Sequence, residues 1–292
     1  MVGNRGVWNL TGWVTAAVLM ACPITPSAQA KGTAGPTTGG AQAASSCFSQ
    51  AAADQRIAAC SALIHAGAPS ARNAAKHASK RTSGKSARTR ATKPPATGAP
   101  LPADVQTAQA LLNRADAFGQ RGDYRHAIDD VTRVIHQSPS AVAYYTRALA
   151  YHNLGKETRA IADSNAALKL EPHNANALFV RASAHEGLGD YPSAIRDFDH
   201  VLRLDPNRVD ALFSRGAAHY SAGEYQRAVE DFSRTIEHGA AEGTVYYLRG
   251  LAYQGLGQTA QARADMEEAL RRDPNLEEKP PVPGSHMSVR EL

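Results

Sequence analysis

Eleven histidines, three cysteines and 27 acids are the groups in this 292-residue chain that could do chemistry. Their spacing supports little of it. No G-x-x-x-x-G-K-[ST] phosphate loop, G-x-S-x-G elbow or H-E-x-x-H helix occurs, so the motif routes to phosphoryl transfer, acyl transfer and zinc hydrolysis are missing. The histidines lack metal-ligand spacing, and His185 and His219 stand where core packing explains them better than ligation. The expectation is a protein that is not an enzyme, with no cofactor and no metal. Two other sets do have regular spacing. Five arginines, Arg114, Arg147, Arg181, Arg215 and Arg249, are matched by five aspartates, Asp130, Asp163, Asp197, Asp231 and Asp265. They read either as an arginine row for anionic ligands or as structural ion pairs. The one-to-one match favours pairs, because a partly buried guanidinium strongly prefers a carboxylate that fits its fork. The second set is aromatic: Tyr145, Phe179, Phe213 and Tyr247 recur at one position, and Tyr220 stands at another.

These sets are positioned by a repeat. Gly122, Gly155, Gly189, Gly223 and Gly257 are each followed by an alanine, Ala127, Ala160, Ala194, Ala228 and Ala262. Pro139, Pro172, Pro206 and Pro274 close four of the five units, and Ala240 stands where the fifth proline would be. The period is 33 residues once and then 34. Within Ala175–Arg208, Leu178, Ala182 and His185 share one helical face, Gly189 breaks the helix, and Asp190 is placed to cap the next. Ala194, Phe198 and Val201 mark one face of that second helix. Each unit is therefore predicted to be a helix, a tight turn and an antiparallel helix. One unit cannot bury its apolar face alone, but a stack can.

The pattern resembles the tetratricopeptide repeat family. Large residues stand at repeat position 4 (Leu111, Tyr144, Leu178, Leu212, Tyr246) and small ones at position 8 (Ala115, Ala148, Ala182, Gly216, Gly250). Position 24 holds Val131, Ser164, Phe198, Phe232 and Met266, where Ser164 departs from the pattern. The resemblance implies an all-α fold, an α-solenoid of five helix-turn-helix units in a right-handed superhelix. The units would span 108–140, 141–174, 175–208, 209–242 and 243–276. It also implies that first helices line a concave groove for a protein or peptide partner. Tyr145, Phe179, Phe213, Tyr247 and Tyr220 would be its apolar anchors, with His152 and Glu186 setting its polarity. Lys and Arg are absent from the positions with which some members clamp a C-terminal carboxylate, so that mode is not expected.

The first third is different in kind. Arg5, an apolar stretch from Trp13 to Cys22 and Ala28-Gln29-Ala30 read as an export signal, residues 1–30, cleaved after Ala30. The protein would then be periplasmic or secreted. Leu19-Met20-Ala21-Cys22 also resembles part of a lipoprotein box, which would anchor the chain at Cys22. Residues 31–46 are expected to be disordered. Residues 47–67 contain a half-repeat helix, since Ile57–Gly67 resembles Val229–Gly239. Cys47 and Cys60, an even pair in an exported chain, suggest a disulfide. Residues 68–103 hold eight basic residues, Arg72 to Lys93, and no acid, and read as a disordered basic linker. Residues 277–292 form a Pro-rich tail.

The net charge of +5 hides an asymmetry. Residues 1–103 carry 11 basic residues against Asp54 alone, whereas residues 104–292 carry 21 against 26 acids. The favoured expectation is an exported scaffold for protein partners that does no catalysis. One alternative is a lipid-anchored envelope assembly factor stabilising a pilus or outer-membrane component. The other is a cytoplasmic adaptor that binds nucleic acid through the basic linker. That linker lacks aromatics for base stacking, which makes nucleic acid the less expected partner.

Overall fold

The computed structural model describes residues 43, 45–67 and 103–277. The expected signal, Cys22, most of the basic linker and nearly all of the tail lie outside these residues. The described part is all helical: α1 (Ala53–Gly67), α2 (Ala103–Gln120), α3 (Tyr124–Gln137), α4 (Ala141–Asn153), α5 (Glu157–Leu170), α6 (Ala175–Gly187), α7 (Tyr191–Leu204), α8 (Val209–Ser221), α9 (Tyr225–Glu237), α10 (Gly243–Gly255) and α11 (Thr259–Arg272). A 3-10 turn, Pro274–Glu277, follows. The chain divides into two compact units at Pro139 and Ser140.

Local chemistry sets the helix ends. In the Ala175–Arg208 repeat the Asn174 side chain accepts from the Ala177 N–H and starts α6. Gly189, at φ 77°, supplies the left-handed turn that an L side chain resists. Asp190 then accepts from the Ser193 N–H and starts α7, with Pro192 in the first turn, where its missing N–H costs nothing. At the joint lacking proline, Gly239 (φ 92°) ends α9, and Arg272 Nη1 donates to the Ala241 carbonyl at 2.6 Å, tying the loop to α11.

In the unit from Ser140 onward, the helices pair as α4–α5, α6–α7, α8–α9 and α10–α11, and each second helix packs on the next first helix. Phe198, Phe232, Leu178, Leu212 and Leu248 are fully buried between them. Burial of each such side chain stabilises by roughly 1.5–3 kcal/mol. Small residues permit the approach: a Cβ on Gly216 would lie 3.0 Å from the Phe232 ring. Ser164 takes the place of these phenylalanines in the second repeat. Its hydroxyl is buried and has no partner, and a small cluster drawn from the same repeat and the next first helix has only alanines as its buried members, Ala141, Ala167 and Ala177, with half-buried Tyr144, Tyr145 and Leu168. At the far end Leu276 of the 3-10 turn inserts into the last cluster and covers part of the final repeat.

In the unit ending at Pro139, α1 packs on α2 and α2 on α3. Residues 45 and 46, inside the stretch expected to be disordered, are helical. Helix α2 begins at Ala103, ahead of the expected repeat start at Ala108. Arg56 pairs with Asp116 at 2.7 Å and also donates to Gln120. Asn113 donates to the Cys47 carbonyl at 3.3 Å. The Cys47 and Cys60 sulphurs are buried and 2.14 Å apart.

Candidate partner-binding face

The five arginines and five aspartates meet inside the repeats. Each guanidinium donates through Nε and Nη2 to the two oxygens of one carboxylate, at 2.6–2.8 Å, joining the first helix of a repeat to its second. The aspartates are buried. The pairing raises the affinity of Arg147, Arg215 and Arg249 for their protons, chiefly through the aspartate hydrogen bonds. In four of the five the remaining nitrogen, Nη1, reaches back one layer. Arg181 donates to Asn165, Arg215 to Asp199, Arg249 to Ser233, and Arg114 to Ser61 of α1. Helix α1 therefore stands toward α2 as a second helix stands toward the next first helix. Ser61 takes the place of Ser233, and Cys60 that of the buried Phe232. With their donors aimed at these acceptors, the arginines offer no open row for an anionic ligand.

Three histidines bridge the turn between paired helices. His152 Nδ1 lies 2.7 Å from Glu157 Oε2, His219 Nδ1 2.7 Å from Glu224 Oε2, and His185 Nδ1 3.3 Å from Asp190 Oδ2. Glu224 and Asp190 are held below the usual carboxylate range, Glu224 mainly by the His219 hydrogen bond and Asp190 mainly by Ser193. No group of three potential metal ligands occurs among the described residues. No described helix is long and apolar enough to cross a membrane.

The seven residues expected in the groove separate into two groups. Phe179, Tyr247 and His152 are each 3% exposed and belong to the interior, which corrects their reading as a contact surface. Phe179 packs edge-on against Phe198 at 5.5 Å, and the Arg208 guanidinium covers its ring at 4.8 Å. Tyr247 belongs to the last core cluster. His152 is consumed by Glu157, whose side chain is itself wedged against Gly187 of α6. These rings sit where neighbouring helices approach, so packing takes the area a partner would need. Tyr145, Phe213, Tyr220 and Glu186 remain half-buried. Tyr220 leans on Tyr225 at 5.6 Å, and burial pushes its phenol up.

All four stand on first helices. Successive first helices touch, α4 on α6, α6 on α8 and α8 on α10, whereas successive second helices make no comparable contact. The first-helix layer is thus the closely packed side of this unit. It carries two carboxylates. Asp210 is taken by Arg208, Nε to Oδ1 at 2.8 Å. The Glu186 carboxyl has no hydrogen bond or ion pair among the described residues, and burial pushes it up to about 7. Sequence reasoning missed Arg208, which also donates to Asn176 at 3.1 Å. The signal was an arginine in a helix N-cap slot, where Ser140 and Asn174 in the preceding repeats do cap and Arg208 cannot.

The tetratricopeptide repeat profile matches residues 112–177, 145–199 and 179–242, and a second profile of the same name matches 243–276. The chain belongs to the tetratricopeptide repeat family. Among solved structures, a tetratricopeptide stack of similar fold occurs in MamA, at 24% identity and TM-score 0.50 over 55% of this chain and 95% of that one. A second MamA structure matches at 22% and 0.52 over 60% and 97%. MamA from Desulfovibrio magneticus RS-1 matches at 17% and 0.53 over 57% and 96%. At these identities the likeness concerns the fold. A short match, 46% identical over 50 residues, joins 17% of this chain to bacteriophage adsorption protein A of Escherichia coli strain K12. It spans 5% of that protein's length.

Proposed function

We propose that this tetratricopeptide chain is an exported scaffold that docks a protein partner reversibly on its first-helix layer and performs no chemistry. The observation that carries the reading is the chemistry of that layer between α4 and α10. Half-buried Tyr145, Phe213 and Tyr220, exposed Val142 and one unpaired carboxyl face a surface whose other charges are internally paired. Aromatic rings anchored on rigid helices suit an extended segment or a partner helix. Replacing Phe213 and Tyr220 by alanine should cut capture of the partner from native extract at least ten-fold while leaving the melting temperature within a few degrees. Normal capture by both variants would remove this layer from consideration.

Export is supported by Arg5, the apolar stretch to Cys22, Ala28-Gln29-Ala30 and the buried Cys47–Cys60 pair, which would form a disulfide in an oxidising compartment. Intact mass in the native host reads this directly. A chain starting at Lys31 and lighter by two hydrogens is expected from the envelope fraction. A full-length cytosolic mass with free thiols would overturn export.

A further inference from the structure

The layer ahead of α2 is fastened differently from the repeats. Helix α1 stands toward α2 as a second helix, with Arg114 Nη1 donating to Ser61 at 2.8 Å and Cys60 in the place of Phe232. In the same alignment Ala59 takes the place of Asp231. Helix α1 therefore lacks the carboxylate that clamps the second helix of each repeat to its own first helix. Arg56 takes the place of Ala228, one of the alanines against which a first helix closes. How close that approach is shows in the last repeat, where a Cβ on Gly250 would lie 3.2 Å from the Ala262 carbonyl. The Arg56 guanidinium is turned to α2 instead, to Asp116 at 2.7 Å and to Gln120. Both replacements remove what a repeat uses to hold a helix on that side of α1.

A crosslink stands where the clamp is missing. Residues 45–52 lead into α1, and Cys47 among them meets Cys60, with both side chains buried. Asn113 of α2 donates to the Cys47 carbonyl at 3.3 Å, so one residue joins the segment to both helices. A helix of 15 residues is marginal by itself in water, and α1 depends on staying docked. Bridging residues 13 apart in sequence lowers the population of the open chain by about a hundred-fold.

We propose that the Cys47–Cys60 bond is a redox latch on this layer. Closed, it holds residues 45–52 against α1 and α1 on α2. Reduction by a dithiol passes two electrons and two protons to the sulphurs, giving two thiols, while the dithiol closes into its own disulfide. The segment and α1 then loosen together, and the side of α2 that carries Asn113, Arg114 and Asp116 is uncovered. The latch rests on the cysteine pairing in the export reading above and adds its consequence: the layer is closed in an oxidising compartment and open in a reducing one.

The test uses the full chain with Cys22→Ser, so that Cys47 and Cys60 are the only thiols. It is oxidised in a glutathione buffer or reduced with dithiothreitol, and the intact mass, differing by two hydrogens, verifies each state. Amide exchange in α1 should be about a hundred-fold faster in the reduced chain, with α8 to α10 changed less than two-fold. A chain that also carries Cys47→Ala and Cys60→Ala should exchange like the reduced one and not respond to dithiothreitol. Protection of α1 that agrees within about three-fold in the two states overturns the latch. So does a response that persists without the two cysteines, or an equal loss of protection in α8 to α10, which would make the bond a general stabiliser. If the thiols fail to join in the oxidising buffer, the pairing behind the export reading falls together with the latch. If the bond forms and α1 is indifferent to it, the latch alone fails.

Discussion

Glu186 enters the folded state with its carboxyl removed from most of its water, and the consequence is a stability that depends on pH. Burial raises its value from 4.5 to about 7. Between those values the unfolded chain has released the proton while the folded chain still holds it, so folding is progressively disfavoured as pH rises through that window. Because the residue keeps some solvent contact, the full effect is on the order of 2 kcal/mol. Urea titrations of Glu186→Gln should show a gain of that size at pH 8 and almost none at pH 4.5. A gain independent of pH would contradict the assignment. Ser164 presents the neutral counterpart, a buried hydroxyl with no acceptor or donor. Ser164→Ala removes a group whose desolvation costs about 1 kcal/mol and should raise the melting temperature. Neither effect could be read from the repeat pattern. Ser164 was visible as a departure, but whether a neighbour satisfied its hydroxyl depends on the next repeat.

At the scale of helices, the arginine–aspartate clamps decide how paired helices are held. Each joins first to second helix by two parallel hydrogen bonds, and four of the five also reach the preceding layer. Asp231→Ala should cost about 3 kcal/mol in chemical denaturation, since it leaves the Arg215 guanidinium buried beside Asp199 alone. Replacing Arg215 and Asp231 together by Met and Leu should recover most of that loss. A single variant costing less than half a kcal/mol would mean the clamps are idle. The pairing itself was legible, because five arginines matched five aspartates in register. The backward reach was not, because it uses Ser61, Asn165, Asp199 and Ser233, side chains with no common type. The same holds for the face: Phe179 and Phe213 share a repeat position, yet the first is buried under Arg208 and the second is half-buried. Phe179→Ala should therefore lose about 3–5 kcal/mol of stability, whereas Phe213→Ala loses capture first.

Across the repeat unit from Ser140, cohesion is uneven. Large side chains fill the joints of the later repeats, Phe198 with Leu212 and Phe232 with Leu248, whereas the second repeat sets Ser164 where they have phenylalanine and contributes a cluster whose buried members are three alanines. In a stack each repeat depends on its neighbours, so the thinnest joint opens first. Amide exchange should be fastest in α4 and α5 and slowest in α8 to α10. Uniform protection would show that the alanine joint is as strong as the aromatic ones.

What the sequence determined by itself was the kind of architecture. Period and turn glycines, present in all five units, and closing prolines, present in four, are local signals, and each reports the backbone it needs within a few residues. The tertiary structure decided the availability of individual side chains. His152, Glu186 and Tyr220 stand 34 residues apart at one repeat position, yet they end as a buried ion-pair partner, an unpaired carboxyl and a half-exposed ring. Their fates differ because the groups that cover or satisfy them come from other helices, and no periodicity along one chain encodes what a neighbouring layer presents.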